Sequence, residues 1–199
     1  MSFRTARRVM GILAAAVLTL SLAPTAVAGV SGRAMAVSRP LCATQLAAPS
    51  TPGGSARIVR TKCFGRLDSA LRFAAAGAVI PDGIAAAQVD QATIAAPKPS
   101  PKDVTTIIGI HWEHAGRQGR DRIYFVKGAD PCAGGRVWQI SKLDRGWDSI
   151  ASSAEGFGGC GTFVQFARPK FKGGSRACTP YCDSLGALND RVGSIRWRA

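Results

Sequence analysis

The chain has 199 residues, 46% of them hydrophobic and 19% charged, with 23 glycines, 11 prolines and a formal charge of +14. That length excludes a large multidomain enzyme. The composition is too apolar for a disordered chain and too rich in turn formers for a helical bundle, which leaves a loop-rich globule.

Residues 1–28 read as a secretory signal peptide: Arg4, Arg7 and Arg8 precede an apolar run over 9–22, and Ala26-Val27-Ala28 has the small-x-small cleavage pattern. The Arg7-Arg8 pair leaves a twin-arginine route open. The apolar run falls short of the ~20 residues a spanning helix needs, and no later run is longer, so no transmembrane segment is expected. Without those three arginines, 23 basic and 12 acidic residues leave a charge of +11 on a secreted, extracellular product. All six cysteines lie beyond the cleavage site, an even number in an oxidising compartment, so they are expected to pair. Fifteen connectivities are open to six cysteines.

From 29 to 60 the sequence is dominated by Ala, Ser, Pro and Gly, which suggests a flexible tether. A small helical unit is expected over 61–95, because Asp68 to Ala76 carries helix formers and stops at Gly77. A Cys42–Cys63 bridge would staple it. Residues 96–104 are a Pro-rich linker. From 105 to 199 short β-type runs at 106–112, 122–126, 136–140, 162–166 and 194–197 alternate with glycines, predicting an all-β domain.

This domain contains a repeat. Trp147-Asp148-Ser149-Ile150-Ala151-Ser152-Ser153 aligns with Leu188-Asn189-Asp190-Arg191-Val192-Gly193-Ser194. Upstream, Trp112 stands seven residues before Gly119 as Phe166 stands before Gly173. The offset is 54 between these hairpins and 41 between the later segments, so the first copy is 13 residues longer, an insertion around 128–135. Where the second copy has Phe171, the first has Arg117.

An aromatic-to-glycine hairpin followed by an N/D-N/D-x-x-S/T-S segment, present twice, resembles the βγ-crystallin superfamily, whose microbial members carry that segment as a calcium clamp. The resemblance implies a double Greek-key sandwich over 105–199 and two antiparallel arches. Each site would take a carbonyl and a hydroxyl from one arch and an acid from the other. One site would then use the Ile150 carbonyl, the Ser152 hydroxyl, the Asp190 carboxylate and a carbonyl near Glu113. These are the hard oxygen donors that Ca²⁺ requires. The other site loses two side-chain ligands, because Gly193 has no hydroxyl and Ser149 replaces the acid. Asp148 and Asn189, first in each arch, are expected to brace it by bonding backbone amides.

Catalytic chemistry is sparse. His111 and His114 lie three apart, on opposite faces of a strand, and no zinc-protease helix surrounds them. His111 and Glu113 could share a face, which carries the reading of a small basic hydrolase or toxin. Basic clusters at 117–122, 168–176 and 191–198, with Phe171 and Trp197 between cations, would suit an anionic cell-surface polymer by charge and stacking. No base-reading motif points to specific nucleic acid. The expected function is a non-enzymatic secreted binding or structural protein with one calcium site, and inhibition of an extracellular metalloprotease is the alternative that the resemblance implies.

Overall fold

The computed structural model describes residues 40–51, 53–94 and 104–199. The signal peptide, the start of the tether and most of the Pro-rich linker lie outside these residues. Ten strands dominate: β1 (Leu41–Ala47), β2 (Arg57–Phe64), β3 (Thr105–His114), β4 (Gln118–Lys127), β5 (Trp138–Ile140), β6 (Ser153–Gly156), β7 (Thr162–Arg168), β8 (Lys172–Cys178), β9 (Tyr181–Cys182) and β10 (Ser194–Arg198). One helix of two turns, α1 (Leu67–Ala74), precedes β3.

The strands form two sheets, ordered β2-β1-β4-β3-β6-β9 and β5-β10-β7-β8. Strands β3 to β6 make one Greek key and β7 to β10 another. The third strand of each crosses to the other sheet: β5 pairs with β10, and β9 pairs with β6. Each sheet therefore contains a strand from the other repeat, which ties the halves together through backbone hydrogen bonds.

Strand alternation sends successive side chains to opposite faces. Ile108, Tyr124 and Val126 meet Trp138, Ile140, Phe163, Ile195 and Trp197 between the sheets. Ile107, Ile110, Trp112, Ile123 and Phe125 face away from the second sheet. A register shift between Ile107 and Gly109 brings Ile108 and Gly109 to the same inner face, where Gly109 lies under the Trp197 indole. A side chain at 109 would collide with that ring, which explains a glycine in the middle of a buried strand.

The outer face of the first sheet is covered by α1. Ala70, Leu71 and Ala74 are buried against it, and the small alanines let the helix approach closely. Ile80, Ile84, Val89 and Ile94 complete this second core. Asp68, in the first turn, is buried and accepts hydrogen bonds from the backbone amides of Ser69 (2.6 Å) and Gly83 (2.9 Å). Its ion pair with Arg66, with those amides, holds the carboxyl well below the usual range.

The expected tether is corrected here. Residues 41–47 are β1, which adds in parallel to β4, and 57–64 are β2, which pairs antiparallel with β1. The boundary drawn at 60/61 cuts through β2, and the hairpin extends the first sheet that α1 covers. The Cys42–Cys63 disulfide joins directly opposed residues of this hairpin. Cys132–Cys160 and Cys178–Cys182 complete the pairing, with no free cysteine among the described residues. In the chain-entropy account, closing the 28-residue separation of Cys132 and Cys160 contributes about 3–4 kcal/mol. Among the described residues no helix is long and apolar enough to cross a membrane.

Candidate functional site

The two repeated segments form arches that cross and exchange backbone hydrogen bonds. The Ser149 amide donates to the Val192 carbonyl and the Asp190 amide to the Ala151 carbonyl, both at 3.1 Å. These are equivalent atoms of the two copies. Ser149 and Asp190 also share a left-handed backbone, with φ of 60° and 54°.

Each arch is fastened to its own hairpin in the same way. The Ser152 amide donates to the Trp112 carbonyl and the Gly193 amide to the Phe166 carbonyl, both at 2.9 Å. The next residue is a fully buried serine. Ser153 Oγ donates to the His114 carbonyl (2.7 Å) and accepts from the Arg117 amide (3.3 Å). Ser194 Oγ donates to the Arg168 carbonyl (2.6 Å) and accepts from the Phe171 amide (3.0 Å). One hydroxyl thus satisfies two backbone groups of a tight turn that would otherwise lose their partners.

The departure at Arg117 has a physical explanation. In the second copy Phe171 packs edge-on against Phe166, with centroids 5.6 Å apart. In the first, the Arg117 guanidinium lies 5.6 Å from the Trp112 ring and 3.9 Å from the Tyr181 ring. A planar cation stacks where an aromatic would, and Glu155 pairs with it at 2.7 Å.

Of the expected calcium ligands, Ser152 and Asp190 are brought together across the arches, with Ser152 Oγ donating to Asp190 Oδ1 at 3.0 Å. Ser152 is buried and Asp190 exposed, so the pair sits at the solvent edge of the crossing. Ile150 is half-buried beside it. The Glu113 carboxylate turns into its own hairpin, accepting from the Arg120 amide and guanidinium, both at 3.2 Å. Among the described residues no three His, Cys, Asp or Glu side chains cluster. A cation here would rest on carbonyls, a hydroxyl and one carboxylate, a donor set of hard oxygens that fits Ca²⁺.

At the position equivalent to Ser152 the second arch has Gly193, with no hydroxyl and little room for one. A Cβ at Gly193 would stand 3.0 Å from backbone atoms of Arg168 and Pro169. The bracing expected of Asp148 and Asn189 falls elsewhere. Asp148 accepts from Ser149 Oγ (3.4 Å), and the Asn189 amide group pairs with Ser184 Oγ (3.2 Å). The Ser149 and Asp190 amides are satisfied by the opposite arch's carbonyls, and the Ser152 and Gly193 amides by their own hairpins.

His111 is fully buried between the sheets, stacked on Phe163 with centroids 4.8 Å apart. Its Nε2 is 2.7 Å from Gln165 Oε1. Burial pushes its pKa down to about 4, so the ring is neutral at pH 7. No substrate reaches it, and the shared face with Glu113 builds no acid-base pair. The first basic cluster is likewise structural: Arg117, Arg120 and Arg122 pair with Glu155, Glu113 and Asp144. Trp197 is fully buried and cannot stack on a polyanion. Phe171 is half-buried, with Arg196 stacked 4.6 Å from its ring centroid.

Sequence reasoning missed Asp121, whose buried carboxyl faces the second core with Oδ1 lacking a hydrogen-bond partner among the described residues. Burial raises its pKa to about 7. Its position two before Ile123 and four before Phe125 on β4 is the signal that places it on the inward face.

No protein-family description and no curated protein matches the chain. Among solved structures it is similar to a βγ-crystallin from Ciona intestinalis, at 22% identity over 44% of this chain and 94% of that one, with a TM-score of 0.32. A structure solved for the evolution of the eye-lens βγ-crystallin domain fold shares 19% identity over 50% of this chain and 88% of its own, with a TM-score of 0.32. A βγ-crystallin from an archaeon shares 18% over 46% and 96%, with a TM-score of 0.31. The chain's own strand order identifies the architecture: two Greek keys that exchange their third strands, each closed by an arch serine on its hairpin, make residues 105–198 a βγ-crystallin-like fold.

Proposed function

We propose that this chain is an exported, disulfide-held Greek-key binding protein whose crossed arches take a single calcium ion. The observation that carries the reading is the approach of Ser152 Oγ to Asp190 Oδ1 across the two arches, at 3.0 Å. The Ile150 carbonyl, the Ser152 hydroxyl, the Asp190 carboxylate and a carbonyl at Glu113 would hold the ion. Bound there, calcium would supply a cross-link between the two Greek keys. The Asp190 carboxylate orients toward the opposite arch through the left-handed backbone at its own position. Ser152 is fixed by its amide bond to Trp112.

One carboxylate makes a weak site, because ligand charge sets calcium affinity. A Kd of about 10⁻⁴–10⁻³ M is expected, the range of extracellular modules. At tenfold excess over Kd, mass action adds about 1.4 kcal/mol, or a rise of about 3–6 °C in Tm. Thermal unfolding of the purified protein in 10 mM calcium, 10 mM magnesium and chelator tests this. Calcium alone should raise Tm, and Asp190→Ala should remove the rise. An equal shift with magnesium, or none with calcium, would contradict the assignment.

A further inference from the structure

A groove with a cavity volume of about 680 Å³ lies beside the β1–β2 hairpin, far in sequence from the arches, and is lined in part by Leu46, Val59, Arg60, Lys127, Arg136 and Trp138. It runs into a second cavity of about 510 Å³ that shares Ala48, Arg136 and Trp138. Single small-molecule sites occupy about 300–1,000 Å³, so the first cavity alone is large enough for one.

Its chemistry is divided. Leu46 and Trp138 are buried and form an apolar floor. The indole is fixed by its Nε1–H donating to the Pro131 carbonyl at 2.8 Å, and the neighbouring Cys132–Cys160 bridge holds that loop. The rim carries three cations, and among the described residues no acidic side chain lines the groove. Arg60 is held in place by Gln45 Oε1 at 2.8 Å and by the Phe73 ring at 4.8 Å. Lys127 and Arg136 are exposed and have no ion pair among the described residues. In the first basic cluster, by contrast, Arg117, Arg120 and Arg122 each have a carboxylate.

A second observation is independent of the charges. Among the described residues the exposed large hydrophobic side chains are Ile58, Val59, Val79 and Val137. Two of these four line the cavities, Val59 the first and Val137 the second. Exposed apolar side chains and the cations Lys127 and Arg136 therefore meet at the same groove. Apolar walls with a few fixed polar groups are the pattern of a ligand pocket.

We infer that this groove binds a small anionic amphiphile: an alkyl or aryl chain along Leu46, Val59 and Trp138, with one carboxylate or phosphate at Lys127 and Arg136. Burying the chain supplies affinity, about fourfold for each methylene. The head group is fixed by two charge-assisted contacts. Concavity favours a single monomer over a membrane surface.

Calorimetric titration of the purified protein, with its three disulfides intact, tests this using decanoate and decyl phosphate below their micelle concentrations. Both should bind saturably, one per chain. Inorganic phosphate and decyltrimethylammonium should bind at least tenfold more weakly. K127A/R136A should weaken decanoate at least tenfold, while K170A/K172A, which removes the same charge from the β7–β8 hairpin, should leave it within twofold. Equal loss in both double variants, equal binding of inorganic phosphate or of the cationic amphiphile, or binding only to phosphatidylglycerol vesicles would overturn the inference.

Discussion

The two Greek keys share a backbone plan and differ in what they bury. The first (β3–β6) carries His111 and Asp121 in its interior and has a serine at the third-from-crossing position of its arch, Ser152. The second (β7–β10) buries Gln165 and the tying Ser194, with no titratable side chain among its buried described residues, and has Gly193 where Ser152 stands. Equivalent hydrogen bonds at 3.1 and 2.9 Å show that the arch is maintained by backbone and by the tying serine alone. The remaining arch positions differ between the copies: Ser152 and Asp190 meet on one side of the crossing, and Gly193 packs against backbone on the other.

The largest expected effect belongs to the first Greek key, which buries both His111 and Asp121, and is read by pH. Asp121 has a folded pKa of about 7 against an ordinary 3.8, so it withdraws stability as pH rises from about 4 to 7. His111 has a folded pKa of about 4 against 6.5, so it withdraws stability as pH falls through that window. At 1.36 kcal/mol per unit these amount to about 4 and about 3 kcal/mol, opposed in sign. The parent protein should show a shallow profile between pH 4 and 6.5. Asp121→Asn should unmask the His111 slope, with urea unfolding showing stability rising by about 3 kcal/mol across that range and exceeding the parent at pH 8. A flat profile in the variant would separate neither group.

The equivalence of the tying serines gives the next effect. Ser153→Ala and Ser194→Ala each remove two hydrogen bonds and strand a backbone amide and a carbonyl. About 2 kcal/mol is expected in each, measured by chemical denaturation. Losses differing by more than about 1 kcal/mol would break the structural equivalence of the halves.

A smaller effect distinguishes the arches. Gly193→Ser should destabilise by about 1–2 kcal/mol, because its Cβ meets backbone at 3.0 Å. Ser152→Gly should cost about 1 kcal/mol or less, through backbone entropy and one part-exposed hydrogen bond. Restoring the second half-site by Ser149→Asp with Gly193→Ser therefore works against packing, and calcium titration of that double variant should show a second site only if Arg168 and Pro169 move. Near-equal stability of Gly193→Ser and the parent would show that the second arch lost its ligand without losing the space.

The sequence made the domain's inner strands legible because β3, β4, β7 and β10 combine β-branched and aromatic residues with buried alternation. The arches were legible from their repetition. Strand β8, Lys-Gly-Gly-Ser-Arg-Ala-Cys, is exposed along nearly its whole length, so no apolar period marks it. Strand β1 was concealed among Ala, Ser and Pro: its place is set by pairing with β4 some eighty residues away, an interaction that no local pattern encodes. Asp148 and Asn189 looked like turn braces by residue type, and the opposite arch supplied the carbonyls first. The groove beside β1 joins residues from 45 to 138, so composition alone could not reveal it.

The central claim is that the crossing of the arches makes one cation site from unequal halves. Calorimetric titration of calcium into the parent and into Asp190→Ala measures it directly. One ion per parent chain, with binding lost in the variant, is the predicted result. Two equivalent ions in the parent, or undiminished binding in Asp190→Ala, would contradict it.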